Sequence, residues 1–157
     1  MGVRRQVDPH PKKIPGLENA VFLRYGVMHR NTYLNSPNVL TEFYSLRTNR
    51  NIYFAGQMTG VEGYIESASS GFVAGTNAAL RALCRDELDF TAKTAIGSLA
   101  HYVSNGSHSG NFQPMNANFG IIESLDFRVK GGKKARNEEF AKRSCEIIES
   151  LKGVLAK

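Results

Sequence analysis

The chain has 157 residues, 41% hydrophobic and 22% charged, which fits one ordinary folded domain with a real core and excludes a disordered tail. Twenty Lys and Arg against 14 Asp and Glu give a net charge of +6, which suits a polyanionic partner but is equally the mark of a solvated basic surface. No apolar run nears the ~20 residues that span a bilayer, Cys84 and Cys145 have neither a CxxC spacing nor a histidine at ligand distance, and "MGVRRQVDPHPKKIPG" has no signal-peptide core; we therefore expect no membrane, no metal and a reducing, cytoplasmic setting.

Residues 1–16 read as an irregular basic arm, broken by Pro9, Pro11, Pro15 and Gly16. "AVFLRYGVM" (20–28) is a predicted strand, and "HRNTYLNSPN" (29–38) a polar loop with a turn at Ser36–Pro37. "LTEFYSLRT" (40–48) fits a short helix or a strand. "NIYFAG" (51–56), a short apolar run closed by glycine, predicts a buried strand. A helix follows, with Ile65, Ala68, Phe72, Thr76, Leu80 and Leu83 expected on its buried face. Two more helices are predicted, over 94–106 with Ile96, Leu99 and Val103 facing inward, and over 133–155 with Phe140, Ile147, Ile148, Leu151 and Leu155. A loop dense in Asn, Gly and Phe, "GNFQPMNANFGIIESL", lies between them.

The chemistry concentrates in "GQMTGVEGY" (56–64). A helix start presents unpaired N–H groups and partial positive charge, a good seat for an electron-rich carbonyl or an anion. Glycines at 56, 60 and 63 let backbone pass close to a planar ligand. Small residues continue into the helix (Ser67, Ala68, Ser70, Gly71, Ala74, Gly75), and each interior glycine there costs roughly 1 kcal/mol relative to alanine. Either close helix–sheet packing or a ligand must offset that cost. The chain has no GxGxxG followed by an acidic residue and no GxxxxGK[ST], so this is not the first phosphate-binding turn of a dinucleotide fold.

"FAGQMTGVEGYIESASSGFVAGTNAA" resembles the C-terminal flavin-contacting segment of the folate-dependent tRNA (uracil-5-)-methyltransferases. "IPGLENAVFLRYGVMHRNTYLNSP", "GSLAHYVSN" and "FQPMNANFG" resemble the same family in the same order, so the likeness covers roughly residues 14 to 157. The resemblance implies an α/β fold: the C-terminal part of an FAD-binding, Rossmann-like two-dinucleotide domain with additional C-terminal helices, over residues 17–157. It implies FAD as cofactor, methylenetetrahydrofolate and NAD(P)H as co-substrates, and tRNA as partner, with a methyl group built on C5 of a T-loop uridine. The family's GxGxxG unit and functional cysteines have no counterpart here, and Cys84 and Cys145 match neither cysteine position. The chain therefore reads as a fragment whose partner is the missing N-terminal portion of the same enzyme. It is expected to be inactive and poorly soluble alone, with no catalytic residue of its own. Two other readings stay open: a non-catalytic RNA-binding remnant, and the related flavoprotein that installs carboxymethylaminomethyl groups on wobble uridines, which "FQPMNANFG" and "TGVEGYIESASSG" disfavour.

The resemblance marks Gly56, Gln57, Gly60, Val61, Glu62, Gly63 and Tyr64 as flavin-binding. The bland alternatives are a loop-capping amide for Gln57, a core ring for Tyr64, and a helix-dipole partner for Glu62 and Glu66. His29 and Arg30 are candidates for folate or substrate contact, against an ordinary surface pair. Asn116 and Asn118 are candidates for a heterocycle edge, against a simple turn. Lys130, Lys133, Lys134 and Arg136 oppose the dipole of the helix they begin, which favours tRNA phosphate contact over a solvated face.

Overall fold

A computed structural model describes residues 15–16, 18–19, 21, 32–105, 110 and 112–155, so the predicted strand at 20–28 and the His29–Arg30 pair lie outside the described residues, apart from Val21. The chain falls into two units, Met1–Asn31 and Thr32–Lys157. In the first, the Gly16 N–H donates to both carboxylate oxygens of Glu18 at 3.0 Å, and this contact holds the Glu18 carboxyl below its usual range.

The second unit is built on helices. A single turn, α1 (Ser36–Val39), starts at the predicted Ser36–Pro37 turn, with proline in its first positions where a missing N–H matters least. A 3-10 turn (Gly56–Thr59) leads to α2 (Tyr64–Ala82), followed by α3 (Ala95–Ser104) and α4 (Gly132–Leu155). The Thr94 hydroxyl caps α3, accepting from the Gly97 N–H at 3.0 Å and donating to the Phe90 carbonyl at 2.7 Å. Gly97 is required because a Cβ there would strike the Phe90 and Thr91 backbone.

No strand ladder forms among the described residues, and this corrects the strand expected at 51–56. That run makes isolated pairings instead: Ser45 bridges Tyr53 antiparallel, the Leu46 N–H donates to Ile52, and the Phe54 N–H donates to Tyr44. A buried parallel strand needs neighbours on both edges, and among the described residues the backbone bridges of this run go to the tight loop 40–46. Ile52 stays 44% exposed as a result. The loop itself is neither helix nor strand, because Tyr44 takes φ +63° and turns its ring inward, to 1% exposure. Burial raises its phenol far above the ordinary tyrosine range, so the ring stays neutral.

The core joins Leu40, Tyr44 and Val61 to Val73 of α2, Leu99 and Val103 of α3, and Phe112. α3 buries the face its spacing predicts, except that Ile96 is only half-buried. α2 does not. Its inward residues are Ser70, Val73, Ala74, Asn77 and Leu80, while Ile65, Phe72 and Leu83 are 79%, 54% and 67% exposed. Of the face expected to be buried, only Leu80 is. Gly71 and Gly75 meet nothing within 4 Å, so neither is needed for close packing among the described residues. α2 is thus apolar or small on two faces, one packed and one open, and the open face is a source of the poor solubility expected of the isolated chain.

α4 buries only Phe140 fully, with Ile148 and Leu151 against the core. Polar contacts add to that grip. The Arg143 guanidinium donates to the carbonyls of Ser124 (2.9 Å), Glu123 (2.5 Å) and Lys93 (3.3 Å) and lies 5.3 Å from the Phe140 ring centre. A lysine ammonium cannot span three carbonyls held in a fork. Arg143→Lys is therefore expected to cost about 2 kcal/mol, read as a lower urea midpoint at unchanged slope. An unchanged midpoint would show that α4 is held by its apolar contacts alone.

Candidate functional site

The 3-10 turn and the start of α2 are shaped by their glycines. Gly56, Gly60 and Gly63 have φ of +72°, +87° and +96°, a region L side chains avoid. The Gly56 N–H donates to Ser70 Oγ at 2.7 Å, and its carbonyl accepts from Thr59 Oγ1 at 2.8 Å, so the turn is pinned onto α2 by a serine of the small-residue face. Gly63 occupies the N-cap of α2 without any side-chain cap, which leaves the first-turn N–H groups of the helix uncapped.

Three separated motifs meet here. The Leu34 N–H donates to the Met58 carbonyl at 2.8 Å and Ser36 Oγ to the Thr59 carbonyl at 2.7 Å, which brings "TYLNSP" to the turn. On the other side Val61 and Met115 form a parallel bridge: the Glu62 N–H donates to Met115 and the Met115 N–H to Gly60, both at 3.0 Å. "FQPMNAN" is thereby docked along "GVEG". The Phe112 ring anchors this junction. It is 6% exposed, sits 6.0 Å from the Tyr33 ring and 5.8 Å from the Tyr102 ring, and occupies the space that a Cβ on Gly60 would need.

The sequence-predicted residues therefore divide. Gly60 and Gly63 serve internal packing: Gly60 makes room for Phe112, and Gly63 for the Glu66 carboxylate and the Asn116 amide. Asn116 donates to the Glu62 carbonyl at 3.0 Å. Asn118 donates to the Asn116 carbonyl at 3.0 Å and accepts from the Gly120 N–H at 2.8 Å, the turn role weighed against heterocycle binding. Val61 is core. Gln57 is exposed, Met58 is 49% exposed and Tyr64 is 96% exposed, so the Tyr64 ring is not part of the core formed by the described residues. Glu62 is half-buried beside the junction. Glu66 accepts from the Ala117 N–H at 3.3 Å, so it holds the neighbouring loop and not only the helix dipole. Lys130, Lys133, Lys134 and Arg136 are exposed on the 130–136 segment, outside this junction. Cys84 lies just past the end of α2, at φ +54°, and not inside a helix; both it and Cys145 are exposed free thiols.

Phe112 and Ser70 were not singled out individually by the sequence. An aromatic ring next to an Asn/Gly-rich loop, and a serine facing a glycine turn across a small helix face, are the signals that point to them.

Part of the chain's sequence matches a protein-family model. The model described as "Glucose inhibited division protein A" matches residues 6–86, and the chain belongs to that family. Among curated relatives, the methylenetetrahydrofolate–tRNA-(uracil-5-)-methyltransferase TrmFO of Staphylococcus epidermidis is 56% identical over 142 residues, 90% of this chain and 32% of the relative. The TrmFO of Bacillus velezensis is 55% identical over 140 residues (89% and 32%), and that of Staphylococcus aureus strain Newman 56% over 144 (92% and 33%). The chain thus spans about a third of the length of the curated relatives it matches. No helix among the described residues is long and apolar enough to cross a membrane, and no group of three or more metal-ligating side chains occurs among them.

Proposed function

We propose that this chain supplies part of the flavin- and folate-handling site of a methylenetetrahydrofolate–tRNA (uracil-5-)-methyltransferase, acting with the region that its relatives carry in addition. Residues 17–157 are then the C-terminal part of an FAD-binding Rossmann-like α/β domain, and 1–16 a basic arm outside it. The observation that carries the reading is the convergence of "TYLNSP", "GQMTGVEG" and "FQPMNAN" on one junction, in a chain 55–56% identical to proteins of that name. Those names also favour this branch over the wobble-uridine flavoprotein.

The residues present fit a flavin. The uncapped amides at the start of α2 are donors for an electron-rich edge, and no side chain of the N-cap residue competes for them. Gln57, Met58 and Tyr64 are exposed around the turn, where an amide and a ring can meet a flat ligand. When bound, FAD supplies the electrons that complete the methyl group, with NAD(P)H as their source. Gly56, Gly60, Val61, Glu62 and Gly63 shape the wall; Gln57 and Tyr64 contact the ligand. Asn116 positions the Glu62 backbone, and with Asn118 it sets the loop beside the folate or substrate edge. His29 and Arg30 remain proposed for folate or substrate contact. Lys130, Lys133, Lys134 and Arg136 are assigned to tRNA phosphates. Cys84 and Cys145 take no part in catalysis.

The test is 5-methyluridine in bulk tRNA. Cells lacking the endogenous enzyme would carry this chain joined to the upstream two thirds of the Staphylococcus epidermidis relative, with the intact relative as control. Recovery of 5-methyluridine is expected. A silent hybrid beside an active control would contradict the reading.

A further inference from the structure

A concave feature lies away from the Gly60 junction. Between residues 124–129 and the first turns of α4 there is a cleft of about 480 Å3, in the size range of small-ligand pockets. Leu125, Val129 and Phe140 give it an apolar lining, and Arg128, Lys133 and Arg136 give it positive charge. A further hollow of about 490 Å3 shares Arg128, Val129 and Gly132 with it and extends to Lys130.

Two observations mark this face as one that contacts within the described residues leave open. Phe127 lines the cleft yet is 60% exposed, while its neighbour in the cleft, Phe140, is 6% exposed. Arg128, Lys130, Lys133, Lys134 and Arg136 make no ion pair or hydrogen bond among the described residues. Cations crowded at a helix start raise its energy through the dipole, so neither helix stability nor internal pairing accounts for them. A double-helical polyanion would use the charges alone. An apolar hollow with an open ring beside the charges suits a nucleotide whose base is out of a stack.

We propose that this cleft is a subsite for single-stranded RNA, in which an unstacked base lies on Phe127 and the adjoining phosphates are held by Arg128, Lys133 and Arg136. The proposal rests on the tRNA reading above and adds which part of the RNA is gripped and by what. It also brings in Phe127 and Arg128, which the charge pattern alone did not mark.

The test uses the full 157-residue chain and two labelled probes: a hairpin RNA with a uridine-containing single-stranded loop, and a blunt RNA duplex of equal length. Binding is followed by fluorescence anisotropy across a salt series. The hairpin is expected to bind more tightly. Phe127→Ala should weaken hairpin binding by about 5- to 100-fold, leave the salt slope unchanged and spare the duplex. Phe127→Trp should keep hairpin affinity. Lys133→Gln with Arg136→Gln should flatten the hairpin's salt slope by about 1.4. Hairpin binding untouched by these changes would overturn the subsite while leaving the tRNA reading intact. Equal loss on hairpin and duplex with Phe127→Ala would also overturn it, since a stacked base is then not what the ring contacts. Failure of the unaltered chain to bind either RNA would overturn it too, and the 5-methyluridine assay would still judge the methyltransferase reading separately.

Discussion

Gly60→Val is expected to destabilise the chain by about 3 kcal/mol and to abolish flavin retention in the reconstituted protein. Two independent terms add. At φ +87° an L residue costs roughly 1–2 kcal/mol, and a β-branched one sits at the upper end. The new Cβ would also enter the Phe112 ring, and overpacking of a filled site typically costs about 1–3 kcal/mol. The ring cannot simply swing away, because it is buried between Tyr33 and Tyr102. Relief would require separating Gly60 from Met115, the contact that joins the two halves of the site. Gly60→Val combined with Phe112→Ala should lose less stability than the two changes summed, because the collision disappears when the ring does. Urea midpoints of the four proteins decide this. A loss below about 0.5 kcal/mol for Gly60→Val would show that the ring gives way freely and that the junction is loose.

The second large effect is expected at Asn77, which is fully buried in α2. Its Oδ1 accepts from the Leu88 N–H at 2.6 Å, and its Nδ2 donates to the carbonyls of Leu88 (3.2 Å) and Val73 (3.1 Å). One amide thereby satisfies both backbone groups of Leu88, in the connection that carries the chain from α2 to α3. Asn77→Leu keeps the bulk but strands that N–H and that carbonyl, each costing about 1–3 kcal/mol when buried. A total near 3 kcal/mol is expected by chemical denaturation, with faster amide exchange at Leu88. A neutral Asn77→Leu would mean that water satisfies Leu88.

The three long helices were legible because helical periodicity is a local property. α4 was expected over 133–155 and occurs as Gly132–Leu155; α3 was expected over 94–106 and occurs as Ala95–Ser104. The buried face of α2 was not legible. Ile65, Phe72 and Leu83 compete with Val73, Ala74 and Leu80, and nothing local says which set meets the rest of the fold. Asn77 was hidden for a related reason, since a polar residue in a small-residue helix reads as surface until its partners are seen. The 51–56 run misled because an apolar stretch is a strand only when neighbours pair with it, and here Tyr44 and Ser45 take that place with single contacts.

The site was legible in its parts and not in its assembly. Gly56, Gly60 and Gly63 stood out in the sequence as places where backbone can pass close to a planar ligand, while their shared positive φ is visible only in the fold. That Met115 docks between Gly60 and Glu62 joins residues more than fifty positions apart, which no local pattern encodes. The glycines' purpose also proves mixed. Gly60 and Gly63 are explained by Phe112, Glu66 and Asn116, so a ligand need account only for the uncapped helix start and the exposed Gln57, Met58 and Tyr64.

The most direct test of the central claim is flavin uptake. The chain, alone and co-expressed with the upstream two thirds of the Staphylococcus epidermidis relative, is purified with excess FAD, and the visible spectrum and flavin fluorescence are recorded. The account predicts quenched fluorescence and a perturbed visible band in the combined sample, weakened by Tyr64→Ala and lost with Gly60→Val. Free-flavin spectra in the combined sample would contradict it and would leave the glycine turn as a packing device alone.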